Sequence, residues 1–476
     1  MAPLGPRGLL PIKTGPALGA SQRWHVLGSP VCVFEWRYGS SEMRQLLSRD
    51  SIVEAMKRVE AALAEALEKA GIAPRGTAAS VRAALEKVRP EEVYEAERRE
   101  TGHDVAALVF LAARRGGEKA RRWIHYGATS NDIVDTAWAL LLRDALALLK
   151  GRLREVVEKL SRLALETEDV VMAGRTHGQH AVPITLGFKL ANHVYELARS
   201  YERICCLEER LLRVKMGGAV GTMAAWGERG PEVRRLVAES LGLGYHPVTT
   251  QVAPRDGYAE LAAALAILAS QLDRLAVEVR ELARPEIGEV WEERGAAIGS
   301  SAMPQKANPV TAERVSGLAR AARSLVAGFL ENIVLWHERD LSNSSFERYG
   351  LPHLLLLLDQ MLIDASSLLD RLGYSPERMR KNLESTRYTV LTEALMNALI
   401  GRGLGREEAY RLARAAARKA LEEGKPLPQA AAEIEEIAAT LPREEILSLR
   451  PEDYLGSARR LVHEALDYAE KALNTC

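Results

Sequence analysis

The sequence predicts an all-α protein built around a central bundle of long helices, and three stretches carry that prediction. Leu142, Leu146, Leu149, Leu153, Val156, Leu160 and Leu163 alternate steps of four and three, and so do Leu261, Leu265, Leu268, Leu272, Leu275, Val279 and Leu282. Leu190, Val194, Leu197, Tyr201 and Ile204 repeat the theme between them, and Leu351 to Leu372 supplies another long apolar helix. Apolar residues at that period line one helix face, and seams of this length pack at shallow angles. Helices this long commonly complete their burial against sister copies, so a symmetric homo-oligomer is expected.

Composition narrows the class. A chain of 476 residues can bury a large core and hold two or three domains. Lys+Arg and Asp+Glu both number 64, which gives no reason to expect a nucleic-acid or membrane surface. The leucine run Leu354 to Leu358 ends at Asp359, and no apolar run approaches a membrane span. Cys32, Cys205, Cys206 and Cys476 lack zinc-type spacing and form no extracellular framework, which fits a reducing cytoplasm. The expectation is a soluble cytoplasmic protein.

Residues 1–33 are rich in Gly and Pro, carry Arg7, Lys13 and Arg23, and contain no acid; they read as a flexible extension. An N-terminal helical domain is expected over 34–147. Arg37 and Tyr38, followed by Ser40, Ser41 and Glu42, suit either a surface turn or a guanidinium and phenol on phosphate oxygens. Ser51 and Glu54 form a capping box, and Ile52, Met56, Val59 and Leu63 then step along an amphipathic helix that ends at Gly71. Gly102-His103-Asp104 interrupts the next helical pattern, where a histidine serves a capped structural role as readily as a functional one. In His125 to Asp132, Thr129 and Ser130 suit both a carboxylate ligand and the cap of the following helix.

The central bundle is expected over 148–384. It contains Gly174-Arg175-Thr176-His177-Gly178-Gln179-His180. No Glu-x-x-His partner or cysteine pair accompanies the two histidines, so proton transfer by a glycine-flanked histidine at the edge of a bundle helix is preferred over metal binding. Gly217 to Thr222 is a tight turn, and Gln251 either caps the second seam or faces a site. Gly299 to Pro309, GSSAMPQKANP, is loop material whose free amides, with Lys306, could cradle a developing anion. Gly295 and Gly299 are plausible hinges for it. Trp336 to Arg348 gathers arginines and hydroxyls, suiting a solvated turn or a phosphate site. A smaller C-terminal helical domain, 385–476, is expected from the helices Leu391 to Leu399, Arg406 to Glu423 and Arg443 to Leu466.

The GSSAMPQKANP run resembles the signature of the fumarase/aspartase superfamily, and the chain from about Arg37 onward is similar to its adenylosuccinate lyase family. That resemblance implies a three-domain fumarase/aspartase-like fold whose bundle assembles into an oligomeric helical core. It implies elimination of fumarate from succinyl-purine nucleotides, namely adenylosuccinate and the succinylated aminoimidazole carboxamide ribotide, with no cofactor and no metal. Ser300 maps to the general base with Ser301 beside it, His177 to the general acid, and Glu313 to the acid that holds the histidine. Lys306 and Asn308 map to the substrate carboxylate. Arg37, Tyr38, His103, Asp104, Thr129, Ser130, Gln251, Arg339, Ser344 and Arg348 map to groups that bind phosphate, ribose and the succinyl moiety. A homotetramer with sites shared among three subunits is also implied.

Such an elimination needs a base beside a carboxylate, an acid for the leaving nitrogen, and fixed donors for the charge that develops. A serine is intrinsically a poor base, so it depends on Lys306 and the loop amides. Gln305, Asn343 and Gly102 depart from the family pattern, and Met-Pro-Gln-Lys is typical of argininosuccinate lyase, the alternative reading. A substrate without phosphate has less use for Arg37, Arg339 and Arg348. An inactive scaffold, a third reading, predicts decay at Ser300, His177, Lys306 or Glu313, all of which are present.

Overall fold

The computed structural model describes residues 31–293, 303 and 305–476. The chain divides after Tyr38 into two units. In the first, the short 3-10 turn Val33–Glu35 leads to Arg37, whose guanidinium lies 5.8 Å from the ring centroids of both Trp36 and Tyr38. Everything described below belongs to Gly39–Cys476.

The predicted seams form the principal helices: α1 (Arg49–Lys69), α2 (Asp104–Arg115), α3 (Ser130–Glu166), α4 (Leu186–Leu211), α5 (Asp256–Leu282), α6 (Val310–Ser324) and α7 (Ser342–Asp370). Each seam residue from Leu142 to Leu160 and from Leu261 to Leu282 is buried, while Leu163 is only half-buried where α3 nears its end. α3 packs on α4, α4 on α5, α5 on α6, α6 on α7, and α7 returns to α3, closing the bundle. Where α3 gives way to α4, Gly187 lets the two backbones touch: a Cβ there would meet Ala164 O at 2.3 Å.

α7 corrects one expectation. It is long and apolar enough to cross a membrane by length and composition, yet 72% of its most apolar stretch is buried inside the protein, as suits a core helix. Asp359 does not stop it. That residue is sealed in the core, accepts from Ser40 N at 2.7 Å and lies 2.9 Å from Arg152 Nε.

Between α3 and α4 runs a hairpin of β1 (Val171–Thr176) and β2 (Gln179–Thr185), antiparallel, with a register shift between Ala173 and Arg175. Beyond α7 come α8 (Pro376–Ser385) and a cluster of short helices around their own core of Leu391, Leu395, Leu399, Leu412 and Leu427. The single helix expected from Arg443 to Leu466 is two, Arg443–Leu447 and α9 (Ala458–Leu473), separated by a 3-10 turn that opens at Pro451.

A second correction concerns the cysteines. α9 lies along α4, which brings Cys476 to Cys205 in a disulfide across 271 residues, while the adjacent Cys206 takes no part in it. Spacing along the chain carries no sign of a partner so remote. A cross-link over so long a loop restricts the unfolded chain and contributes about 2–4 kcal/mol. Cys476→Ser is therefore expected to lower the denaturation midpoint under oxidising conditions and to match the parent in reductant; equal midpoints in both conditions would show that the bridge contributes nothing.

Candidate active site

The site is built from the head of α3. Thr129 is its N-cap, and Asp132 turns back to accept from Thr129 N at 2.7 Å. The same carboxylate takes Lys215 Nζ at 2.7 Å, Gly217 N at 2.7 Å and Gly218 N at 3.1 Å, and both Asp132 and Lys215 are fully buried. Thr136 Oγ1 donates to Lys215 O at 2.9 Å and accepts from Lys215 N at 3.1 Å. The glycine turn after Lys215 is thus fastened to the helix head. Gly221, at φ 93°, lies so close to the Thr249 carbonyl that a Cβ would meet it at 2.0 Å, and this contact fixes the strand of chain that leads to Gln251.

Beside this knot opens a cavity of about 810 Å³, lined by His103, Asp104, Ser130, Arg339, Ser344 and Arg348 among others. Its lining comes from the start of α1, the start of α2, the head of α3 and the chain around the start of α7, which are remote in sequence. Arg348 Nη2 donates to Asp104 Oδ2 at 2.9 Å, and His103 Nδ1 lies 3.2 Å from Asp104 Oδ1. Burial alone would raise the Asp104 carboxyl, but the hydrogen bond from His103 and the charge of Arg348 outweigh it and hold the group well below the usual range. Gln251 does not line the cavity; it accepts from Arg339 Nη1 at 3.1 Å and donates to Ala219 O at 2.9 Å. Arg339 makes no ion pair among the described residues, and burial lowers its guanidinium's pKa. A half-buried arginine held by a neutral amide is suited to an incoming anion.

Sequence reasoning missed the floor of this cavity. Asp135 accepts from Arg255 Nη2 at 2.9 Å and from Ala253 N at 2.8 Å, and Glu347 Oε1 lies 3.1 Å from Arg255 Nε. Burial pushes the Glu347 carboxyl up, with Arg255 opposing the shift. The available signal was a charge on the buried face of an apolar seam. Gly102 and Asn343, two departures from the family pattern, line the same cavity.

Several expected residues stand elsewhere. His177 is not at the edge of a bundle helix: it sits exposed at the tip of the β1–β2 hairpin with φ 54°, followed by Gly178 at φ 72°. Two successive positive φ angles make the tight turn that joins twisted antiparallel strands, in which Met172 pairs with Ile184 and Ala173 with Pro183, so the segment is strand rather than helix. Glu313 is exposed in the first turn of α6, and no hydrogen bond joins it to His177 within one chain. Lys306 is exposed and Asn308 half-buried just before that helix. Ser300, Ser301, Gly295 and Gly299 lie outside the described residues, and Arg37 and Tyr38 belong to the first unit.

A family model described as lyase matches residues 40–323, and one described as the adenylosuccinate lyase C-terminus matches 389–465. Adenylosuccinate lyases of Methanothermobacter thermautotrophicus and Pyrococcus horikoshii are 45% and 44% identical to it, each over 92% of this chain and over 99% and 97% of their own. The chain belongs to the adenylosuccinate lyase family. Among solved structures, a fumarate lyase from Mesorhizobium sp. BNC1 superposes with a TM-score of 0.83 at 33% identity, covering 90% of this chain and 98% of its own. The 3-carboxy-cis,cis-muconate lactonizing enzyme from Pseudomonas putida gives 0.83 at 32%, covering 92% and 99%. The all-α fumarase/aspartase fold and the lyase class therefore hold for this adenylosuccinate lyase family member, and the argininosuccinate lyase and inactive-scaffold readings give way.

The Asp104 cluster makes a pH-dependent contribution. A depressed carboxyl stabilises the fold above its unfolded pKa of about 4, and that contribution is lost as the pH falls through the folded value. Asp104→Asn is expected to be about 1–2 kcal/mol less stable than the parent at pH 7, reduced from the full ion-pair value because Arg348 is exposed. In denaturant titrations the gap should close as the pH is taken below about 4; a gap unchanged with pH would mean that the shift plays no part.

Proposed function

We propose that this lyase eliminates fumarate from adenylosuccinate, giving AMP, and from the succinylated aminoimidazole carboxamide ribotide, in cytoplasmic purine nucleotide biosynthesis. The observation that carries the reading is the cavity, where His103, Asp104, Ser130, Arg339, Ser344 and Arg348 converge from three distant segments, and where Arg339 makes no ion pair among the described residues. Arg339, Arg348 and Ser344 supply anion binders for the nucleotide phosphate and ribose, a role that the family resemblance also gives to Arg37 and Tyr38. Ser130 and His103 border the succinyl group, with Thr129 capping the helix that carries Ser130 and Gln251 holding Arg339.

In the chemical step Ser300 removes the proton beside the succinyl carboxylate. Lys306, Asn308 and Ser301 bind that carboxylate as its charge grows, and His177, held by Glu313, protonates the leaving nitrogen. No cofactor or metal takes part. Neither His177 nor Glu313 lines the cavity of their own chain, and both face water, which supports a homotetramer in which subunits exchange these groups. Within that assembly we assign an N-terminal region to 34–147, the bundle to 148–384 and a C-terminal region to 385–476, with 1–33 as an extension.

The decisive experiment offers adenylosuccinate and argininosuccinate in parallel and follows fumarate. Release from the purine substrate alone is expected, with Ser300→Ala and His177→Gln each slower by at least about 100-fold. Release from argininosuccinate alone would overturn the phosphate assignments, and a monomer at working concentration would overturn the shared site.

A further inference from the structure

The hairpin that carries His177 is a two-stranded ribbon, and such a ribbon is barely stable without support. Its support reaches it two residues before the histidine. Arg175 donates from Nη1 to Glu289 Oε2 at 2.8 Å and from Nη2 to Glu289 Oε1 at 2.7 Å, a bidentate pair in which the carboxylate is fully buried. The register shift between Ala173 and Arg175 is a bulge at Gly174, where a Cβ would meet Val182 O at 2.7 Å; bulges of this kind re-aim the strand beyond them.

Glu289 is itself fixed. Its N–H donates to Leu282 O at the end of α5, its carbonyl accepts from Ser375 N at the head of α8, and its Oε1 also accepts from Asn382 Nδ2 of α8 at 2.8 Å. The carboxylate therefore belongs to the rigid frame of α5 and α8 while the guanidinium belongs to the ribbon. A point charge would allow the ribbon to swing, whereas two parallel hydrogen bonds set a plane and a direction.

From this geometry we infer that Glu289 is a positioning residue for the elimination: through Arg175, and with Asn382 holding it, it aims the His177 turn at the leaving nitrogen. The inference rests on the reading of His177 as the general acid. It separates Glu289 from Glu313, since Glu289 acts on the His177 turn through Arg175 of the same chain.

A group that acts only through His177 has nothing left to lose once the imidazole is gone, so a double-mutant cycle separates aiming from general upkeep of the fold. Glu289→Gln is expected to lower kcat by about 10–100-fold with KM changed by no more than about two-fold, the scale of a small misplacement of a reacting group. The Glu289→Gln/His177→Gln double variant should be no slower than His177→Gln alone. Additive losses in the double variant, or an unchanged kcat in Glu289→Gln, overturn the inference. Should Glu289→Gln not fold, Asn382→Ala, which removes one neutral donor and leaves the ion pair, goes through the same cycle with the same two outcomes. A His177→Gln variant that retains full kcat overturns the general-acid reading itself and the inference with it, a result distinct from additivity.

Discussion

Asp132 and Lys215 lie 2.7 Å apart with no exposure to water, and the shape of the active cavity depends on them. Removing two charges from water costs several kcal/mol per ion, a cost offset only when the remaining lone pairs and protons are satisfied. Here they are. Asp132 closes the N-terminus of the longest bundle helix and accepts from the amides of the glycine turn, and Lys215 gives a further hydrogen bond to Gly218 O at 3.2 Å. The pair therefore sets where α3 begins, and so where Ser130 stands. It also fixes the turn that carries Ala219, to which Gln251 and then Arg339 are bonded.

A second layer of buried charge extends that control to the opposite wall. Arg255 joins Asp135 of α3 to Glu347 of α7, so the two helices that face each other across the cavity share one guanidinium. On α7 the residues Ser344 and Arg348 are four apart, and so are Asn343 and Glu347. One helical face thus brings a hydroxyl to the cavity and a cation to Asp104, while the adjacent Glu347 anchors the helix to Arg255. The bundle supplies stiffness and these ion pairs supply register. His177 and Glu313, by contrast, are exposed to water, His177 on a turn and Glu313 in the first turn of α6.

The long seams were legible because a buried helix face must repeat at the helical period, and nothing local in α3, α4 or α5 opposed it. The hairpin was not, because the pairing of Met172 with Ile184 that makes it is unseen along the chain, and the glycine-flanked His177 reads there as the edge of a bundle helix. The C-terminal helix was overextended because Pro451 breaks it in a stretch whose apolar pattern is otherwise continuous. Of the site, the residues in dense polar segments, His103, Asp104, Ser130, Arg339, Ser344 and Arg348, could be singled out along the chain. Asp135, Arg255 and Glu347 could not, since each is an isolated charge whose meaning lies in the other two.

By itself the sequence determined the all-α class, the superfamily signature around Ser300 and the set of polar segments from which a site could be made, since period and motif are properties of neighbours along the chain. Only the tertiary structure decided which of those segments share a cavity, that Cys205 meets Cys476, and that Arg175 is gripped by Glu289. Each of these joins groups far apart in the sequence, and the closeness of such groups is set by how helices pack rather than by anything local to either residue.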